Sequence, residues 1–133
     1  MNTNYYIEIK DKLINNEVYK SVKDYSKNRS DLKTYYEVGK LLALAGKHYG
    51  EGIIKEYSKK LTSELGKNYT KSSLYNMLKF YELSLNFQTL SGNLSWSHYC
   101  ELLWINDINK INYYVMIIEQ YNLSVRELRV IYK

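Results

Sequence analysis

The sequence predicts an all-α fold, a compact array of about seven helices that contains a helix–turn–helix-like unit. Proline is absent from the chain, and strict alternation of apolar and polar residues never persists. Apolar residues recur instead at steps of three and four, which is the spacing of amphipathic helices. A chain of 133 residues suits one domain with its own core. We therefore expect a single domain over residues 1–133.

The first two predicted helices occupy the N-terminal third of the chain. Helix one is expected over residues 4–27. Its predicted apolar stripe is Ile7, Ile14, Val18, Val22 and Tyr25. Ser30 or Asp31 is expected to cap a second helix, because both side chains accept hydrogen bonds from a helix N-terminus. This helix should end at Gly46, since glycine readily takes the left-handed conformation found there.

Five further helices follow, each marked by a residue that can end or cap a helix. A third helix is expected over residues 51–65, with Gly66 after it. Thr70 should cap a fourth helix that runs to about residue 85. Ser95 and Asp107 should cap helices that end near residues 105 and 121. The last helix should begin with a capping box formed by Ser124 and Glu127.

The two helices predicted within residues 53–85 match the pattern of a helix–turn–helix. A helix–turn–helix needs two tightly joined helices, often with a glycine between them, and Gly66 supplies it. On the second helix, the predicted inward side is Leu74, Met77, Leu78, Tyr81 and Leu85. The opposite side is polar, with Lys71, Ser72, Tyr75, Asn76 and Lys79. Lysines can neutralise phosphates and an exposed asparagine can pair with an adenine edge. The alternative is a structural hairpin with a solvated face.

The charge of the chain permits nucleic-acid binding without requiring it. Nineteen basic and 14 acidic residues give a net charge of +5. An AT-biased gene, which favours Lys, Asn, Ile and Tyr, is a competing explanation for the excess. Residues 67–85 carry a net charge of +2, whereas residues 86–133 carry a net charge of zero, within which Arg126 and Arg129 form a second basic spot. The predicted DNA contacts are Lys67, Lys71, Ser72, Tyr75, Asn76, Lys79, Arg126 and Arg129.

Ordered sequence elements from about residue 30 onward resemble the N-terminal domain of YhcG-type proteins. YEVGKL at residues 36–41 looks like that family's YWEIGKxI element. Residues 49–61 are similar to its YGxxxIxxLSxxL element, and TKSSLYNMLKFY at 70–81 resembles FSxxNLxxMRxFY. The segment 94–131 keeps the family's order of a Trp-Ser-His start, a Leu-Leu pair and a Ser-Val-Arg-Glu-Leu end.

The resemblance implies a DNA-binding domain that is usually joined to a C-terminal nuclease domain of the PD-(D/E)XK type. We therefore expect a bacterial DNA-binding or targeting module, either a fragment or a stand-alone relative of such a nuclease protein. The alternative is a protein–protein interaction or oligomerisation domain without direct DNA contact. A homodimer is compatible with both interpretations, since helix–turn–helix proteins commonly dimerise.

Catalysis by this chain alone is not expected, because no nucleophile–base pair, metal cluster or phosphate loop is recognisable. Trp96, His98 and Trp104 resemble parts of an active site, but such residues on an amphipathic helix are usually structural. Cys100 is the only cysteine, which excludes an internal disulfide, and we expect it to be a small buried group. No metal or cofactor is predicted. Without a run of about 18 apolar residues or a secretory core, we expect no membrane contact and a cytoplasmic location.

Overall fold

The computed structural model describes residues 5–22, 27–66, 69–84, 94–105 and 107–132. Within these ranges there are seven helices and no strand, so the prediction of an all-α fold is confirmed. The helices are α1 (Tyr5–Val22), α2 (Lys27–Tyr49), α3 (Gly52–Leu65), α4 (Lys71–Ser84), α5 (Trp96–Leu102), α6 (Ile108–Tyr121) and α7 (Val125–Tyr132).

The buried face of α1 differs from the predicted stripe. Its buried residues are Tyr5, Ile9, Leu13 and Asn16. The predicted residues Ile7, Ile14 and Val18 are instead 47%, 37% and 59% exposed. The prediction was wrong because a polar residue completes the true stripe: Asn16 is buried and donates a hydrogen bond of 2.9 Å to Asp31 of α2. The side chain of Val22 and all of Tyr25 lie outside the described residues.

Helix α2 is longer than predicted at both ends. It begins at Lys27, so Ser30 and Asp31 lie inside the helix and do not cap it. It also continues through Gly46 to Tyr49. The chain turns at Gly50, where φ is +89° and the backbone N–H donates to the carbonyl of Gly46 at 2.8 Å. The predicted ending was therefore one turn too early, because a second glycine supplies the left-handed residue.

The apolar side chains of the helices form two clusters. The first lies among α1, α2, α3 and α4, and includes Ile9, Leu42 and Leu61. The second joins α5, α6 and α7 to Phe80 of α4. Trp96 packs against both clusters, with its ring centroid 4.7 Å from that of Tyr35 and 5.1 Å from that of Phe80.

The four predicted N-caps from Thr70 onward are confirmed. The Thr70 hydroxyl accepts the backbone N–H of Ser73 at 3.2 Å, and an Asp107 carboxylate oxygen accepts that of Asn109 at 3.0 Å. Ser124 and Glu127 form the predicted capping box, with reciprocal bonds of 3.1 and 2.8 Å. The helix after Ser95 is shorter than predicted, because it ends at Leu102 and a turn follows.

Candidate nucleic-acid interface

Helices α3 and α4 are joined by a short connection that α3 itself holds in place. Gly66 ends α3 with a φ of +125°, a conformation that favours glycine. Tyr69 follows and is buried, and its carbonyl accepts hydrogen bonds from Ser58 at 3.0 Å and from Thr62 at 3.3 Å. The start of α4 is therefore fixed against α3, and its first turn lies at the surface.

The first two turns of α4 present a lysine and an aromatic ring together. Of the five residues predicted to form the polar side of this helix, Lys71 and Ser72 are exposed, and the other three are half-buried, namely Tyr75, Asn76 and Lys79. The Lys71 ammonium lies 5.9 Å from the centroid of the half-buried Tyr75 ring. This geometry is a cation–π contact that leaves the ammonium open to a phosphate. Lys67, the other basic residue predicted near here, lies outside the described residues.

Trp104 brings the remaining two α4 candidates together. This residue lies in the turn after α5 and is 57% exposed. Its indole N–H donates a hydrogen bond of 2.9 Å to Oδ1 of Asn76, and the Lys79 ammonium lies 5.4 Å from the centroid of its ring. A bidentate contact between asparagine and adenine needs that same oxygen. In this conformation the indole already occupies one of the two acceptor positions of Oδ1.

The second predicted basic spot is on α7, which packs against α5. Arg126 is exposed. Arg129 donates to Glu101 in an ion pair of 2.8 Å, so its charge is already partly balanced. The two arginines thus belong to a different helix from the α4 face.

Helix α2 carries three lysines that are not among the predicted DNA contacts. Lys33, Lys40 and Lys47 are all exposed and follow one another at intervals of seven residues, which places them on one side of the helix. Among the described residues, none of the three forms an ion pair. The nearby Glu37 is instead paired with Lys12 of α1 at 3.3 Å. The seven-residue interval is a signal that could have identified this row.

The histidine that resembles part of an active site is held by hydrogen bonds at both ring nitrogens. The backbone N–H of Ser95 donates to Nδ1 of His98 at 3.0 Å. Nε2 lies 2.8 Å from the carbonyl of Leu123, so the ring fits the tautomer with its proton on Nε2. Both nitrogens are thereby engaged in joining the start of α5 to the segment before α7.

The remaining candidates for reactive or metal-binding chemistry are the thiol of Cys100 and clusters of possible metal ligands. Cys100 is half-buried, and burial raises the pKa of its thiol to about 12, so the thiolate is disfavoured. The described ranges contain no group of three or more His, Cys, Asp or Glu residues that could hold a metal ion. Nor do they contain a helix long and apolar enough to span a bilayer.

The fold and this face define an all-helical domain whose surface chemistry is that of lysines beside aromatic rings. The family model of the DUF1016 N-terminal domain matches residues 9–132, and the chain belongs to this family. The match confirms the resemblance to the N-terminal domain of YhcG-type proteins. A search of curated proteins and a search of solved structures found no match.

Proposed function

We propose that this domain binds DNA through the face of α4 that carries Lys71 and Lys79, and that it targets a nuclease domain of the PD-(D/E)XK type in the cytoplasm. The observation that carries the proposal is the set of lysines on two helices that pack directly against each other. They are Lys33, Lys40 and Lys47 on α2 and Lys71 and Lys79 on α4. None of the five is tied to a carboxylate within the described residues.

The dimensions of the α2 row fit a polyanion. At about 1.5 Å of rise per residue, Lys33 and Lys47 are about 21 Å apart along the helix. Duplex DNA carries one negative charge for about every 1.7 Å of its axis, so a row of this length meets several phosphates. Lys71 adds an ammonium and Ser72 a hydroxyl at the N-terminus of α4, where backbone N–H groups favour an anion.

The direct test is binding of fluorescently labelled DNA, single-stranded and duplex, followed by anisotropy at low and at moderate salt. We expect the wild-type chain to bind and to weaken steeply with salt, because lysines release condensed counterions. The double variant Lys71→Gln, Lys79→Gln should bind at least about tenfold more weakly, since each lost phosphate contact lowers the affinity.

The matched control removes the same charge elsewhere. Lys55 and Lys59 are exposed on α3 and form no ion pair within the described residues. The variant Lys55→Gln, Lys59→Gln should keep nearly all of the affinity. The proposal fails if the wild type binds no nucleic acid at low salt, or if the two double variants lose the same amount.

The link to a nuclease is supported by the resemblance to YhcG-type proteins. The sequence of the gene that encodes the chain tests this link. An acidic-lysine nuclease motif encoded together with this domain would agree with delivery of a nuclease, and a gene without one, in the absence of any associated nuclease subunit, would contradict it.

A protein–protein interface is the second candidate, and the exposed stripe of α1 favours it. Ile7, Ile14 and Val18 follow at steps of seven and four residues on one side of the helix and are accessible to solvent. Exposed apolar groups in a row are typical of helix-pairing surfaces. Analytical ultracentrifugation tests this function: a dimer that becomes a monomer in Ile14→Lys supports it, and a wild-type monomer at high concentration contradicts it.

A further inference from the structure

Trp104 lies at the surface and belongs to neither apolar cluster. The two preceding residues, Leu102 and Leu103, are fully buried and anchor the turn in the second apolar cluster. Trp104 follows directly and is 57% exposed. The other tryptophan, Trp96, is packed against Tyr35 and Phe80. The fold therefore turns one large aromatic ring out of the core beside α4.

This ring is held rather than left free. The hydrogen bond to Asn76 fixes one edge of the indole, and the Lys79 ammonium lies over the ring. An exposed side chain that is already fixed loses less conformational entropy when a ligand binds to it. The arrangement is thus a preorganised aromatic surface with a cation next to it.

The same combination occurs a second time on this face. Lys71 lies over the ring of Tyr75, four residues further along α4, and Lys79 follows Tyr75 by another four. Both lysine–aromatic pairs are therefore on one side of the helix. Alternating cations and aromatic rings are the feature with which proteins bind unpaired nucleotides, because every base offers a π-face and every linkage a phosphate.

We propose that Trp104 is a stacking platform for an unpaired base, so that the α4 face binds single-stranded or locally unpaired nucleic acid in preference to a continuous duplex. The inference rests on the proposed function and names its substrate class. The side chain of Asn76 supports this role, because its Oδ1 accepts the indole N–H and holds the ring in place. Lys71 and Lys79 would lie beside the phosphates that flank the stacked base.

Intrinsic fluorescence gives a readout that needs no label. An oligothymidine of about 12 nucleotides falls within the site sizes of single-strand binders. Its addition should quench the emission of Trp104, since stacking brings the base against the indole. In Trp104→Phe, where Trp96 is the remaining fluorophore, the quenching should be lost. Unquenched wild-type emission at a concentration where anisotropy shows the oligonucleotide bound would overturn the inference.

Affinity measurements then separate stacking from charge. Trp104→Ala should weaken oligothymidine binding by about tenfold or more, the usual loss for one stacked base, and duplex binding by less than about twofold. Trp104→Phe keeps a ring and should retain most of the affinity. Tyr121→Ala is the matched control, because Tyr121 is 63% exposed at the end of α6, and it should bind like the wild type.

The outcomes distinguish this inference from the proposed function. If the wild type binds neither single strands nor duplex at low salt, the proposed function fails and the inference fails with it. If the wild type binds both equally and Trp104→Ala changes neither, nucleic-acid binding stands and the stacking role is wrong. Circular dichroism of each variant verifies that the helices remain folded.

Discussion

The α-carbon of Gly39 on α2 packs directly against the backbone of Met77 on α4. A β-carbon at this position would lie 2.2 Å from the Met77 carbonyl oxygen and 2.8 Å from Cβ of Tyr81. Because the first of these atoms belongs to backbone, the contact cannot be relieved by a side-chain rotation. The two helices that carry the five lysines therefore owe their close approach to a glycine.

Replacing Gly39 by alanine should lower the free energy of unfolding by about 2 kcal/mol, within the range of overpacked cores. The measurement is urea denaturation followed by circular dichroism. Gly46→Ala is the control on the same helix, since nothing lies within 4 Å of its added β-carbon. That variant should gain about 0.5–1 kcal/mol from helix propensity. Equal effects of the two substitutions would contradict the close packing at Gly39.

His98 should prove structural and not functional. Removing its ring in His98→Ala deletes the bond from Ser95 and the bond to the Leu123 carbonyl, and should destabilise the chain by about 1–3 kcal/mol. His48→Ala, at an exposed position on α2, should cost much less. DNA affinity, measured where the variant is folded, should not change. A folded His98→Ala protein with wild-type stability would refute this role.

Much of the fold could be predicted because it depends on local chemistry. The caps Thr70, Ser95, Asp107 and Ser124 satisfy N–H groups within the same turn, so sequence spacing alone identifies them. The buried face of α1 was missed although Tyr5, Ile9 and Leu13 follow at helical spacing, because its fourth member is polar. Asn16 is buried and donates a hydrogen bond to Asp31 of another helix, and periodicity cannot indicate the burial of a polar residue whose partner is distant in sequence.

The candidate site likewise combines features that local sequence predicts with features that depend on partners distant in sequence. The exposure of Lys71 and Ser72 follows from helical periodicity. The contacts of Trp104 with Asn76 and Lys79 do not, because they join residues 28 and 25 positions apart. They also depend on a turn that ends α5 earlier than its apolar pattern indicated. The α2 row could have been found from its spacing, but it lies outside residues 53–85, where the sequence predicted the helix–turn–helix-like unit.

The capping box of α7 makes the stability of the chain depend on pH. Hydrogen bonds from the backbone and side chain of Ser124 lower the pKa of Glu127 from its ordinary value of 4.5. A carboxyl whose folded pKa is depressed contributes stability above its unfolded pKa and loses it as the pH falls through the folded one. Glutamine also serves in a capping box. Glu127→Gln should therefore lose less stability than the wild type between about pH 5 and pH 3, measured by urea unfolding. Identical losses in the two proteins would contradict this.

The row of lysines on α2 makes a quantitative prediction about salt. For a duplex, each neutralised phosphate contributes about 0.9 to the slope of log affinity against log salt concentration, and for a single strand about 0.7. If Lys33, Lys40 and Lys47 each meet one phosphate, replacing all three by glutamine should reduce the magnitude of the slope by about 2 to 3.

The slope of log affinity against log salt reports phosphate contacts more directly than the affinity does. A partly misfolded variant has a lower apparent affinity at every salt concentration, and its slope stays the same. Lys55→Gln, Lys59→Gln on α3 provides a comparison that also removes exposed positive charge. Its slope should match that of the wild type if these lysines stand away from the phosphates. A triple variant with an unchanged slope would contradict phosphate contacts by the α2 row and would leave Lys71 and Lys79 of α4 among the remaining candidates.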